Sequence, residues 1–256
     1  MTARISIDLN ADLGEYTGLA GTSRDAAILD VVTSANIACG VHAGDRDVMQ
    51  RTVDAAFSRG VAIGAHPSFP DREGFGRREM KISPAILSDE IVSQVQALRD
   101  CCTNTGVRLQ YVKPHGALYN VATREEGVAR VIAQAVRQVD ASLVLLGLFG
   151  SPMIDEGEHA GLTVATEGFP DRGYLADGTL VPRARSDAVF HDAKTVATRA
   201  IRMARDGYVE SADGTRVAVT PDSLCIHGDN PEAIELVRAT REALEASGLI
   251  VASFVK

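Results

Sequence analysis

Residues 34–66 read SANIACGVHAGDRDVMQRTVDAAFSRGVAIGAH, and the fold turns on them. Residues 45–60 form an amphipathic stretch with Asp45 placed to cap its start and Gly60 its end. SANIACG before it and VAIGAH after it are short apolar runs of strand length. Strand, helix, strand within 33 residues implies two parallel neighbours with the helix packed outside.

The same alternation extends both ways. RISIDLN (4–10), LQYVK (109–113), SLVLLGL (142–148), LTVATE (162–167) and SLCIH (223–227) read as strands, and LIVASF (249–254) as an eighth. Helices are expected at Arg24–Val32, from a Ser83 cap and Pro84 to Gly106, at Thr123–Val139, Ser151–Ala160, His191–Arg205 and Pro231–Ser247. Residues 207–220 read as a hairpin turning at Asp213-Gly214. The expected fold is a TIM-like (β/α) barrel of seven or eight strands, formed as one domain over residues 1–256. A doubly wound open sheet is the alternative, but no GxGxxG follows the first strand.

The formal net charge is −8 and no basic run occurs, which argues against nucleic acid as a partner. No apolar run is long enough to span a bilayer, and the acidic N-terminal stretch lacks a signal-peptide core. The four Cys make no CxxC pair, so a reducing cytoplasm is the expected compartment.

Polar residues gather where strands end. His42, His66, His115 and His227, four of the six His, each lie just past a strand with a Gly or Pro within two residues. In a barrel those ends meet at one mouth, the usual seat of an active site. Asp8, Asp12, Glu15, Asp45, Glu167, Asp171 and Asp229 join them there. Asp45 and Asp229 equally suit helix caps. Lys113, one of only four Lys, ends the fourth strand. It reads as a buried ion pair, as a cation for a substrate carboxylate or phosphate, or as a lysine of lowered pKa. Lys113 and His115 are two residues apart, so they should share a face, with Tyr111 deeper on it. Arg77 and Arg78 in GFGRR either bind an anion or pair with local acids. Arg172 and Arg183 lie in a long lid-like segment after the sixth strand. The cysteines read as packing groups.

The ordered motifs DLNADLGE (8–15), SANIACGVHAGD (34–45), GAHPSFPDREGFGRR (64–78), KPHGALYN (113–120), DRGYLADGTLVPR (171–183) and CIHGDNP (225–231) span nearly the whole chain. Together they resemble the LamB/YcsF lactam-utilisation family, the A components of bacterial ATP-dependent 5-oxoprolinase. Val41, Gly168, Pro170 and Gly173 depart from residues usual in that family. The resemblance implies a barrel related to the glycoside hydrolase/deacetylase superfamily. It implies opening of 5-oxo-L-proline, or a related lactam, to L-glutamate, with ATP as co-substrate and subunits B and C as partners. The candidate catalytic residues are Asp12, His42, His66, Lys113, His115, Glu167 and His227. Asn10, Asp45, Arg77, Asn120, Arg172 and Asp229 are the candidate substrate contacts. Related barrels bind a metal through one Asp and two His, which Asp12, His42 and His66 could supply as a site for a divalent ion. Two alternatives stay open: a stand-alone metal-dependent deacetylase-like hydrolase, and a non-catalytic component that only binds substrate. Self-association is open as well.

Overall fold

Alternation along the first strand sets the layering. Strand β1 (Ser6–Leu13) sends Ile7, Leu9, Ala11 and Leu13 into the apolar layer beneath the helices. Asp8, Asn10 and Asp12 point the other way, into the barrel, where they meet side chains from neighbouring strands. The computed structural model describes residues 6–227 and 232–255.

The elements that follow are α1 (Gly18–Leu29), β2 (Ser34–Ala38), α2 (Arg46–Phe57), β3 (Ala62–His66), α3 (Pro84–Thr105), β4 (Tyr111–Val112), α4 (Gly116–Ala122), α5 (Glu126–Val139), β5 (Val144–Leu148), α6 (Pro152–His159), β6 (Thr163–Gly168), α7 (Ala193–Ile201), β7 (Tyr208–Glu210), β8 (Arg216–Ala218), β9 (Ser223–Cys225), α8 (Ala233–Ala246) and β10 (Ile250–Val251). Strands β1 to β6 pair in sequence, and β9 joins β6 to β1. The result is a closed, wholly parallel seven-stranded barrel. β10 pairs with β1 at Ser6 and Ile7, below the point where β9 takes over, so it lies outside the ring. β7 and β8 form the expected hairpin, with Gly214 at φ 84° in its turn.

Local chemistry accounts for most boundaries. Asp45 caps α2 by accepting from the Val48 N–H, and Ser83 caps α3 by accepting from Ile86 N–H. Gly106 ends α3 in the left-handed conformation that glycine adopts without a Cβ clash. Helix α5 buries Ala129, Ile132, Ala133 and Val136 at helical spacing. Burying a side chain such as Ile132 contributes about 1.5–3 kcal/mol.

The barrel interior is apolar on one side only. Ala62, Tyr111, Leu146 and Ala165 form a small cluster within it. The C-terminal segment folds across the barrel's N-terminal end, where Phe254 packs against Tyr111 at 5.1 Å and Ser253 meets Ser34. The opposite wall is a hydrogen-bonded column. Asp8 accepts from Thr33, Ser34 and Ser223; Asn10 donates to Ser223; Asn36 donates to both Asn10 and Asp12. Tyr111 crosses the barrel to donate to Asn36 at 2.7 Å. Gly64 makes room for that ring, because a Cβ there would overlap it.

Two helices differ from expectation. α4 begins at Gly116, directly after β4, where a loop is expected before Thr123. Gly116 at φ 56° lets the chain turn at once into a helix whose Ala117, Leu118 and Tyr119 are buried. α1 starts at Gly18, earlier than the expected Arg24.

Candidate functional site

Lys113 stands at the centre of the mouth, as the two-residue spacing from Tyr111 requires. It is 2 % exposed, and its Nζ lies 3.1 Å from Asp12, 3.2 Å from Glu167 and 3.0 Å from Cys225 Sγ. Burial alone would push an ammonium down. The charges of Asp12 and Glu167, with a hydrogen bond to Cys225, outweigh it, and Lys113 sits well above its usual range. Of the readings open for Lys113, the buried ion pair with mouth carboxylates is the one the structure shows, and the lysine of lowered pKa is not. Burial pushes Asp12 up in turn, but Lys113 and then His66 hold it well below the usual carboxylate range. Burial drives the Cys225 thiol well above its usual range, so it is a neutral packing and hydrogen-bonding group.

Three of the four strand-end histidines form one stack. His42 and His115 lie face to face, 3.9 Å between centroids and 4° from parallel, with His66 edge-on to both. His66 Nδ1 is 2.7 Å from the Lys113 carbonyl, and His115 Nε2 is 2.9 Å from the Phe75 carbonyl. Their remaining ring nitrogens face each other at 3.0 Å. Glu15 lies 3.4 Å from His42 and 3.7 Å from His115. Burial, then neighbouring His66, lowers His42 to about 3. Burial and the other two rings hold His115 well below its usual range.

His227 approaches from the other side. Asp171 accepts from its backbone N–H at 3.0 Å and pairs with Nδ1 at 2.9 Å, which leaves Nε2 for the pocket. Phe169 stacks on the His227 ring and also lies under Lys113. Burial pushes Tyr119 well above its usual range, and adjacent Glu167 adds to the effect. Above these groups opens a cavity of about 510 Å3, lined by Asp12, Glu15, His66, Lys113, His115 and His227. Arg77, Arg124 and Arg183 stand on its rim with Leu175, Asp177, Thr179 and Pro182 of the segment after β6. Cavities of this size hold small molecules.

Several expected substrate contacts land elsewhere. Asn10 is fully buried one layer below the floor, tied to Ser223 and Asn36, so it supports the site from beneath. Asp45 is occupied as the α2 cap and does not line the cavity. Arg172 lines the cavity, but its guanidinium donates to the carbonyls of Ala188 and Val181, which ties down the lid. Arg78 pairs with Asp71, leaving Arg77 of that pair on the cavity wall. Asn120 reaches the rim. Asp229 lies outside the described residues. Atoms of Asp12, Glu15, His66 and His115 able to bind a metal lie within 4.8 Å of one another. That group shares Asp12 and His66 with the expected metal set; His42 is not in it. Phe75 and Tyr119 lie inside the quoted motifs and Phe169 just after β6, but as aromatic residues they carried no chemical signal of their own.

A closed parallel barrel with buried histidines, carboxylates and a lysine converging on its C-terminal mouth defines a barrel of the enzyme type. The LamB/YcsF family model matches residues 7–256, and the chain belongs to that family. It is 50 % identical over 96 % of its length to the 5-oxoprolinase A-subunit of Bordetella parapertussis, covering 98 % of that protein. The namesake from Streptomyces avermitilis is also 50 % identical, with 97 % and 99 % covered. The crystal structure of the lactam utilization protein from Thermus thermophilus superposes with a TM-score of 0.90 at 44 % identity, covering 98 % of this chain and 100 % of that one. A Bacillus subtilis peptidoglycan deacetylase shares the fold alone, with a TM-score of 0.50 at 13 % identity over 98 % of this chain and 88 % of that one.

Proposed function

We propose that the chain is the lactam-opening component of an ATP-dependent 5-oxoprolinase, acting in the cytoplasm with partner subunits B and C. The observation that carries this reading is end-to-end identity of 50 % with proteins named for that activity, together with the ionisable cluster at the mouth. A five-membered lactam is a stable amide, so its hydrolysis needs coupling. Transfer of the γ-phosphoryl group of ATP to the lactam oxygen would release ADP and leave a carbon that water can attack; breaking the ring C–N bond then gives an acyl phosphate, which a second water hydrolyses to glutamate and phosphate.

The residues divide the remaining work. His227, held by Asp171 with Nε2 toward the cavity, is placed to take a proton from water and return it to the ring nitrogen. Arg77 and Arg183 offer positive charge on the rim for the substrate carboxylate. Lys113 is engaged by Asp12, Glu167 and Cys225, so its part is to hold these acids in place and bias the field at the floor. Tyr119, whose burial keeps it protonated, stands beside Glu167. The test is glutamate and ADP formation from 5-oxoproline and ATP by purified chain plus subunits B and C. Turnover should require all three, and an unchanged rate without this chain would reject the reading.

A further inference from the structure

The facing nitrogens of His66 and His115 raise a question of proton inventory. A carbonyl oxygen only accepts. His66 Nδ1 must therefore carry the hydrogen it shares with the Lys113 carbonyl, and His115 Nε2 the hydrogen it shares with Phe75. In neutral rings, that leaves bare lone pairs on His66 Nε2 and His115 Nδ1, pointed at each other across 3.0 Å. Asp12 Oδ1 lies 3.4 Å from the first and Glu15 Oε1 3.7 Å from the second. These two nitrogens and two carboxylate oxygens are all acceptors, with Lys113 and Asn36 also donating to that Asp12 oxygen, and all four residues are buried. The two facing lone pairs repel until a proton or a metal ion enters between them.

Charge points the same way. Asp12, Glu15 and Glu167 are buried within the floor, against the single ammonium of Lys113. Clustered carboxylates of this kind favour a cation beside them.

The backbone is also shaped to aim these rings. Phe75 has φ 56°, the only non-glycine with positive φ among the described residues. Only glycine adopts that region without a Cβ clash, so the conformation is strained. That conformation turns its carbonyl onto His115. Gly76 packs against the same ring so closely that a Cβ would lie 2.8 Å from His115 Cδ2. A backbone carbonyl behind each imidazole is how proteins commonly orient a metal-ligating histidine and fix its tautomer.

We propose that Asp12, Glu15, His66 and His115 bind one divalent first-row transition-metal ion, through His66 Nε2, His115 Nδ1 and an oxygen of each carboxylate. Two imidazoles favour zinc or cobalt over manganese, magnesium or calcium. His42, stacked on His115, is a wall of the site. The ion would face the cavity, where it could polarise a bound carbonyl. This goes beyond the lactam reading and does not depend on it.

The test uses the intact chain alone, without its partners or 5-oxoproline, so its outcome is separate from that of the turnover assay. Protein stripped with chelator is titrated with Zn2+, Co2+, Mn2+ and Mg2+ by calorimetry. Visible absorption of the Co2+ form reports imidazole ligation. One equivalent of Zn2+ or Co2+ should bind per chain, with Mg2+ far weaker. His115→Gln and Glu15→Gln should each weaken binding by about 100-fold or more, since even partners behind the ligands are worth about 10–100-fold. The double variant His159→Gln/His191→Gln, which removes histidines exposed on the surface, should bind as the parent does. Circular dichroism confirms folding, and either ligand variant suffices if the other misfolds. Binding weaker than about 1 mM for every ion, or equal affinity in the parent and a folded ligand variant, overturns the proposal. So does a nitrogen-15 spectrum showing a proton held between the two rings that excess Zn2+ fails to displace.

Discussion

Lys113→Met isolates the electrostatics of the floor, because methionine keeps the length of the side chain and removes its charge. Asp12 and Glu167 then lose the ammonium at 3.1 and 3.2 Å while staying buried. Breaking a buried ion pair from one side is destabilising by about 3–5 kcal/mol. Against about 5–15 kcal/mol for a typical domain, the variant should remain folded but marginal. In a protein of this size that corresponds to a fall in Tm of roughly 6–20 °C. Metal-free protein unfolded in urea at pH 7.5 provides the measurement. Adding Glu167→Gln removes one of the stranded carboxylates. It should therefore recover part of the loss, giving a coupling energy of at least about 1 kcal/mol between the two positions. If Lys113→Met unfolds within about 0.5 kcal/mol of the parent, or Glu167→Gln simply adds its own loss, Lys113 is not what holds these acids.

Three further outcomes follow from other parts of the barrel. Asp171→Asn should lower kcat of the reconstituted enzyme by about 100-fold to 10,000-fold with KM nearly unchanged, since it frees the His227 ring; kcat within a few-fold of the parent contradicts that. Asp8 is raised by burial from 3.8 to about 6. The folded protein thus binds more protons than the unfolded chain between those values, and stability falls as pH rises through that window, by up to about 3 kcal/mol. Asp8→Asn lacks this titration, so its stability relative to the parent should improve by about that amount from pH 4 to pH 7, and a flat difference would show that Asp8 does not titrate this way. Gly64→Ala forces a methyl into the Tyr111 ring and should destabilise by about 3 kcal/mol or more; a neutral effect in thermal unfolding would show that the ring is free to move.

The β/α order was legible because each barrel strand is a short apolar run and several helices announce their ends, as Asp45, Ser83 and Gly106 do. Helix α4 was not, because one left-handed glycine removes the loop that normally separates strand from helix. The mouth was legible for a related reason: a charge or imidazole at a strand end has nowhere inexpensive to go except the barrel's open face. Depth was harder to read. Asn10 and Asp12 share one strand face, yet one lies under the floor and the other forms it, and only the register of β1 against β2 separates them. His42 looked equivalent to His66 and His115, but stacking on a neighbour's ring is a matter of side-chain placement after β2, which spacing does not encode. Asp171 stood out as an acid after a strand, while its partnership with His227 joins residues 56 apart.

The most direct measurement of the central claim is glutamate formation from 5-oxoproline and ATP by the complex assembled with His227→Gln in place of the parent chain. Size-exclusion chromatography verifies that B and C still associate with it. The expected result is an assembled complex whose turnover falls by at least about 100-fold. An assembled complex that opens the lactam at the parental rate would contradict the role given to His227.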